Sequence, residues 1–185
     1  MHHIYTTPAF VVHSAPYGEA GKFLLLFTKD FGMVGAIASG VRKAESKLRF
    51  HVQDYSFSKL SLVRGKEVWR LTGAYEIGNQ EKSDSMKVRI LSLLKRLLHG
   101  EEKNEKLFAI MEGLYAREFK KEDYELIECI TVMRILNALG YIQSSPMIET
   151  FLVRDDLEPD IIRAMAVAKS SAVRVINDGL KASQL

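Results

Sequence analysis

The chain has 185 residues, 47% of them apolar, which is enough to bury a core in one ordinary domain or two small ones. No uncharged apolar run of about 18 residues is present, and the N-terminus has no basic region followed by a long apolar stretch, so neither a membrane span nor a secretory signal is expected. The single cysteine, Cys129, excludes an intrachain disulfide and a multi-cysteine zinc site. We expect it to be an inert core thiol of a cytoplasmic protein.

The net charge of +3 is unevenly distributed along the chain. Residues 1–80 contain ten Lys and Arg against six Asp and Glu, a balance of +4. Residues 81–185 contain sixteen against seventeen, a balance of −1. Because the cationic excess belongs to the N-terminal part, that part is the better candidate for contact with an anionic partner.

The N-terminal part shows short strands joined by tight turns, after a leader of eight residues that ends at Pro8. Glycine and proline occupy the turns at 16–19 and 29–32, and Gly65 supplies a third turn at 64–66. Five strands of this length match the strand count of an OB-fold barrel. The predicted strands are 9–14, 23–28, 33–38, 55–63 and 67–75.

A polar run at 78–82 ends the strands and predicts a domain boundary, with an OB-fold domain at 1–80 and a helical domain at 81–185. Helical spacing follows, with N-caps at Ser83, Asp84 or Ser85 and a stop at Gly100. A second helix begins after Asn104. The third runs from about 122 to 140 and is apolar on most sides, so we expect it to be central and buried. Residues 160–182 predict one helix or two, divided near 169–171. The predicted fold class is therefore α+β.

The span from position 42 to position 70 holds eight cations, against three acidic residues, and four aromatic residues. An OB barrel binds single strands by placing cations along the phosphates and stacking bases on aromatic rings. The alternative is that the aromatics fill the barrel and the cations are only solvated; we favour a core position for Phe57 and Trp69. The dense run at 42–49 is better explained by DNA contact. The aromatics are Phe50, Tyr55, Phe57 and Trp69; the candidate DNA-binding residues are Arg42, Lys43, Lys47, Arg49, Lys59, Arg64, Lys66 and Arg70.

Signals for an enzyme are weak. The run Gly18 to Lys22 is too short for a phosphate-binding loop, and Phe23 stands where Ser or Thr would ligate magnesium. The tripeptide Asp30-Phe31-Gly32 lacks the catalytic loop of a kinase and is better explained as a turn. No nucleophile elbow is present, and the five histidines do not have metal-ligand spacing. We therefore predict no catalytic activity, no cofactor and no bound metal.

The stretch from residue 16 to residue 49 contains a series of short motifs, namely Tyr17-Gly18-Glu19, Leu26-Phe27-Thr28, Gly32, Gly40, Arg42-Lys43 and Ser46-Lys47-Leu48-Arg49. In this order and spacing they resemble the N-terminal signature of the bacterial RecO recombination mediators. Farther along, Leu136 and Leu139-Gly140-Tyr141 look like the Leu-x-x-Leu-Gly-Tyr helix end of that family. The resemblance is strong over 11–75 and looser after 84.

The resemblance implies an OB-fold domain on a helical domain, binding and annealing of single-stranded DNA, and contact with RecR and single-strand-binding protein. These activities would help load RecA recombinase, in the cytoplasm and near the bacterial nucleoid; double-stranded DNA is a further candidate ligand. The chain departs from many members by lacking a four-cysteine zinc element after Tyr141, where residues 142–158 form a short metal-free substitute. The alternative function is an interaction module whose helical half docks a partner peptide in a groove.

Overall fold

The computed structural model describes residues 3–77 and 84–184, and the strands of its N-terminal part close into a five-stranded barrel. The strands are β1 (Ile4–Tyr17), β2 (Gly21–Thr28), β3 (Gly32–Ala38), β4 (Phe57–Arg64) and β5 (Trp69–Glu76). Their order around the barrel is β1-β2-β3-β5-β4, and β4 returns to pair with β1. Only the short β3–β5 pairing is parallel; the other four are antiparallel. This is the predicted OB-type barrel.

The barrel closes because apolar residues recur at every second position of the strands. Successive strand residues point to opposite faces, so a period of two places one set inside. On β2 that set includes Leu24 and Leu26, and on β4 it includes Leu60 and Leu62, all with no exposed surface. Trp69 of β5 joins this core, as the sequence predicts. Its indole Nε1 donates a hydrogen bond of 3.0 Å to Glu101 Oε1, which satisfies its one polar atom.

Two expectations about the barrel are wrong in detail. The predicted leader is part of β1, because residues from Ile4 onward pair with β4, Ile4 lying opposite Val63. The predicted interior position of Phe57 is also wrong. Its half-buried ring stacks on Phe10 with centroids 4.3 Å apart, and neither ring belongs to the core cluster inside the barrel. Aromatic stacking therefore forms a separate apolar layer outside the barrel interior.

The first helix and the segment after it are grouped with the barrel. Contacts divide the chain into two compact units, Met1–Glu105 and Lys106–Leu185. Helix α1 spans Ser85–Leu97 and is capped by Asp84, whose side chain accepts a hydrogen bond of 2.9 Å from Lys87 N. After the helix, Gly100 O accepts a bond of 3.2 Å from Met33 N of β3. The predicted boundary at 78–82 and the alternative cap Ser83 lie outside the described residues, and the division at residue 80 stays a prediction.

In the second unit the central helix is buried on nearly all sides, as its apolar pattern predicts. It has nine buried residues and packs against the long last helix. That last helix runs without interruption through 169–171, where the sequence left a break open. A short helix near 150 was not predicted. The helices of this unit are α2 (Glu105–Tyr115), α3 (Tyr124–Ala138), α4 (Glu149–Val153) and α5 (Pro159–Ala182), with a 3₁₀ turn at Lys121–Asp123.

A buried arginine of α3 holds the segment that follows the helix. The guanidinium of Arg134 donates hydrogen bonds of 2.8, 3.3 and 2.9 Å to the backbone carbonyls of Phe151, Asp155 and Asp156. Burial lowers the pKa of Arg134, while the carboxylates of the two aspartates act in the opposite direction. Segment 142–158 is thus held in place by one side chain reaching three carbonyls, together with apolar anchors such as Ile148 and Phe151.

Candidate nucleic-acid interface

The connection between β3 and β4, residues 39–56, covers the barrel and positions the basic run; we call it the basic connection. Its apolar side chains Val41 and Val52 are buried in the barrel core, and Leu48 packs partly against that core. Near its start, Arg42 N donates a hydrogen bond of 2.9 Å to Ala20 O in the β1–β2 turn. Apolar residues therefore point inward at intervals, and the residues between them face outward.

Four of the outward residues are the cations that the sequence singled out, and all four side chains are exposed. Within the described residues, 3–77 and 84–184, the side chains of Arg42, Lys43 and Lys47 form no ion pair or hydrogen bond. Arg49 likewise has no carboxylate partner there; its guanidinium lies over the ring of Phe50, 4.5 Å from the centroid. The basic connection thus presents four positive charges that no described acidic group neutralises.

The last part of the basic connection is fixed to the barrel by hydrogen bonds. The carbonyl of His51 accepts bonds from the hydroxyls of Ser56 and Ser58, at 3.2 and 3.0 Å. Tyr55 has a φ of 67°, which is uncommon for a residue with a side chain. Its N–H donates a bond of 2.6 Å to Val11 O of β1, which helps hold this conformation. Backbone strain that the surroundings maintain is often found at binding sites.

The other four candidate cations lie on β4, β5 and the turn between them. Lys59, Lys66 and Arg70 are exposed, and no described group pairs with their side chains. Arg64 differs, because its Nη2 is 3.1 Å from Glu101 Oε2 and its guanidinium lies 5.2 Å from the ring centroid of Trp69. A phosphate would have to compete with these contacts, so Arg64 is the weakest of the eight candidates. Its partner was not foreseeable, since Glu101 lies far along the chain.

The aromatic residues divide by exposure. Trp69 is buried and Phe57 is half-buried, whereas the ring of Phe50 is 55% exposed beside Arg49. The structure also adds Lys22, which was not a candidate. Its place at the start of β2 brings it to an open cavity next to Arg49 and Phe50. Its position along β2 is consistent with this place, because Lys22 lies two and four residues before the inward-facing Leu24 and Leu26 and is therefore on the same face of the strand.

Two negative findings apply to the described residues. None of their helices is both long and apolar enough to cross a membrane. No group of three or more His, Cys, Asp or Glu side chains among them is arranged to hold a metal ion. Burial raises the pKa of the one thiol, Cys129. The exposed cations of the basic connection are therefore the clearest candidate site among the described residues.

A closed five-stranded barrel in the order 1-2-3-5-4, followed by helices, defines an OB-fold protein of the α+β class. Comparison with known families gives a finer assignment. Residues 1–78 match the family model described as recombination protein O N terminal. Residues 1–78 therefore belong to the RecO family, and the strand, turn and basic motifs that suggested it all lie in these matched residues.

Similarity to individual relatives extends past the barrel. The chain is 30% identical over 126 residues to DNA repair protein RecO of Alkaliphilus metalliredigens, covering 65% of this chain and 51% of that protein. Identity to the protein of the same name from Heliobacterium modesticaldum is 31% over 144 residues, 75% of this chain and 52% of the relative. Identity to DNA repair protein RecO of Dehalococcoides mccartyi strain 195 is 39% over 75 residues, which cover 40% of this chain and 30% of that protein. At most, the chain spans about half the length of these curated relatives.

Proposed function

We propose that the chain is a non-enzymatic recombination mediator in DNA repair, which binds and anneals single-stranded DNA. In this proposal it helps load RecA recombinase onto DNA coated with single-strand-binding protein, with RecR as a further partner. It would act in the bacterial cytoplasm, associated with the nucleoid. The support is the match of residues 1–78 to the RecO family model and the similarity to RecO relatives, together with one structural observation, the array of exposed cations on the basic connection.

The physical argument rests on what these cations would lose on binding DNA. Arg42, Lys43 and Lys47 have no described ion pair to break, so contact with phosphate costs only hydration and side-chain freedom. Each phosphate that a cation neutralises releases condensed counterions, which makes affinity fall with salt. The buried side chains Val41 and Val52 anchor the backbone on either side of the four cations, so the charges are displayed on a supported surface.

The test is a salt series of binding to a fluorescent single-stranded oligonucleotide, with and without Ala at Arg42, Lys43, Lys47 and Arg49. For single strands each neutralised phosphate contributes about 0.7 to the slope of log affinity against log salt. The quadruple variant should therefore bind more weakly, with a slope shallower by up to roughly 3. A matched control removes the same charge from the second unit, at the exposed residues Lys106, Lys121, Arg163 and Arg174.

The control variant separates local contact from a general effect of net charge. If the basic connection contacts the phosphates, only its own variant changes the slope. Equal affinity and slope in the quadruple variant and the unmodified chain would reject the assignment. Equal losses in the two variants would show that net charge alone is responsible, which would also reject it.

A second candidate function is that of an interaction module whose helical half docks a partner peptide. It is favoured by exposed apolar side chains in the second unit, above all Val153 and Val167, which are 69% and 92% exposed. An amphipathic or C-terminal peptide is the kind of ligand such helices accept. A labelled peptide from the tail of single-strand-binding protein tests this. Saturable binding that Val167→Glu abolishes would support it, and no binding at high micromolar peptide would contradict it.

A further inference from the structure

An open cavity of about 390 Å³ lies where the basic connection meets β1 and β2; we call it the barrel pocket. Ser14 of β1 and Lys22 of β2 form one wall, and the other wall comes from the basic connection. Its volume lies within the range of small-molecule sites, roughly 300–1,000 Å³. The six lining residues are Ser14, Lys22, Arg49, Phe50, Gln53 and Asp54.

We propose that the barrel pocket binds one unpaired nucleotide of a DNA strand, with the base stacked on Phe50 and its phosphate beside Lys22 and Arg49. This inference rests on the proposed function and deepens it. It assigns a base-binding role to residues that the cationic surface alone does not include. It also predicts that the chain prefers single strands to duplex, and that this preference arises at the barrel pocket.

The stacking surface is Phe50. A ring that is 55% exposed leaves apolar surface in water, and each base presents a flat π-face that would cover it. The guanidinium of Arg49 lies over one face of this ring, 4.5 Å from the centroid, so it is already held beside the pocket, and in this proposal the base stacks on the opposite face. Less side-chain freedom is then lost when a phosphate arrives. An arginine and an aromatic ring at one cavity provide the two contacts that a nucleotide needs.

The charges of the pocket define which way the nucleotide lies. Lys22 and Arg49 attract a phosphate, whereas the carboxylate of Asp54 repels one. The edge of the base, not the phosphate, must therefore face Asp54 and Gln53. A carboxylate accepts hydrogen bonds only, so it favours bases with an exocyclic amino group over thymine. The amide of Gln53 offers both a donor and an acceptor.

The wall that includes Gln53 and Asp54 is held in position from both sides. His51 O accepts two hydroxyl hydrogen bonds, and Tyr55 N is bonded to Val11 O of the barrel. A preformed wall does not need to be ordered when ligand binds. In a duplex both faces of each base are stacked on neighbours and its edge is paired, so the pocket can accept a base only from an unpaired strand.

The experiment uses the full chain with variants Phe50→Ala, Phe50→Leu and Phe50→Trp. Fluorescence anisotropy measures binding to a mixed-sequence single-stranded oligonucleotide and to its duplex at one fixed salt concentration. The Ala and Leu variants should bind the single strand about tenfold more weakly, because a stacked base is lost, with duplex affinity unchanged. Trp keeps a π-face and should retain most of the affinity. Tyr75→Ala is the matched control, an aromatic of similar exposure, 58%, that does not line the pocket.

A second arm compares oligo(dC) with oligo(dT). The unmodified chain should bind oligo(dC) more tightly, and Asp54→Ala should remove the difference. Equal effects of Phe50→Ala on single strand and duplex, or no effect on either, would overturn the pocket assignment. If the four cations of the basic connection matter but Phe50 and Asp54 do not, only this inference fails. If the unmodified chain binds neither DNA, the proposed function fails as well.

Discussion

Replacing Arg134 by methionine keeps most of the apolar stem and removes the charged group that holds segment 142–158. Three backbone carbonyls then lose their donor. The bond to Phe151 O is buried, and an unsatisfied buried acceptor costs about 1–3 kcal/mol. The carbonyls of Asp155 and Asp156 take part in partly buried bonds and can recover some of the loss from water. Against this, the variant no longer buries a guanidinium, so we expect a net loss of about 3 kcal/mol.

The assay is urea unfolding followed by circular dichroism, with Arg163→Met as the matched control on the exposed side of α5. The control should stay within about 0.5 kcal/mol of the unmodified chain, as exposed substitutions usually do. Limited proteolysis adds a local readout, because a loosened segment 142–158 should be cut sooner than the rest of the second unit. If Arg134→Met costs no more than the control and proteolysis is unchanged, the proposed role of the guanidinium is wrong.

Two further predictions concern the second unit. Gly179→Ala should lower the free energy of unfolding by about 1–3 kcal/mol in thermal or urea unfolding, because the new Cβ would lie 2.6 Å from a methyl carbon of Ile142. The control Gly113→Ala, whose new Cβ meets open space, should leave the free energy of unfolding unchanged or raise it. Hydrogen bonds from Arg154 lower the pKa values of two aspartates in the folded chain. The folding stability that their ionised carboxylates contribute is therefore fully present above the unfolded pKa values, and it is lost as the pH falls through the lower folded values. Arg154→Gln should raise both carboxyl pKa values in NMR titration and flatten this acid-side loss; unchanged values would contradict it. The aspartates are Asp156 and Asp160.

The barrel could be predicted because its information is local. Short apolar runs predict the strands β2 and β4, and glycines at positions such as 18 and 32, both with positive φ, mark the turns. Which face of these strands lies inside follows only from the structure, because β2 is apolar at every position from 23 to 27. The first half of β1 was missed because residues 4–8 do not form a regular apolar pattern. It is a strand only because β4 pairs with it, and such long-range pairing is invisible in a local pattern.

For the candidate site, the exposure of the cations could be predicted from the sequence, whereas the contacts between distant residues could not. The cations of the run 42–49 were expected to face outward, and their side chains are exposed. The barrel pocket could not be foreseen, since it depends on the close approach of Lys22 and Asp54, which belong to separate segments. For the same reason the interaction of Arg64 with Glu101 escaped the sequence pattern. Alternation predicts a side chain's face, whereas its partners are determined by tertiary structure.

The uninterrupted α5 shows the opposite case, where tertiary packing overrides a local signal. Adjacent serines at 170 and 171 lower helix propensity and suggested a break. Ala172 beside them is fully buried, and the helix packs along α3. Burial of that face stabilises the helix more than two serines destabilise it.

The most direct measurement of the central claim is a backbone amide NMR titration of the full chain with an unlabelled single-stranded oligonucleotide. A DNA-binding basic connection predicts that the largest shift changes occur at residues 39–56 and at Lys22, and that they decrease as salt is added. Changes confined to residues 106–184, or spread evenly over the chain, would contradict the account.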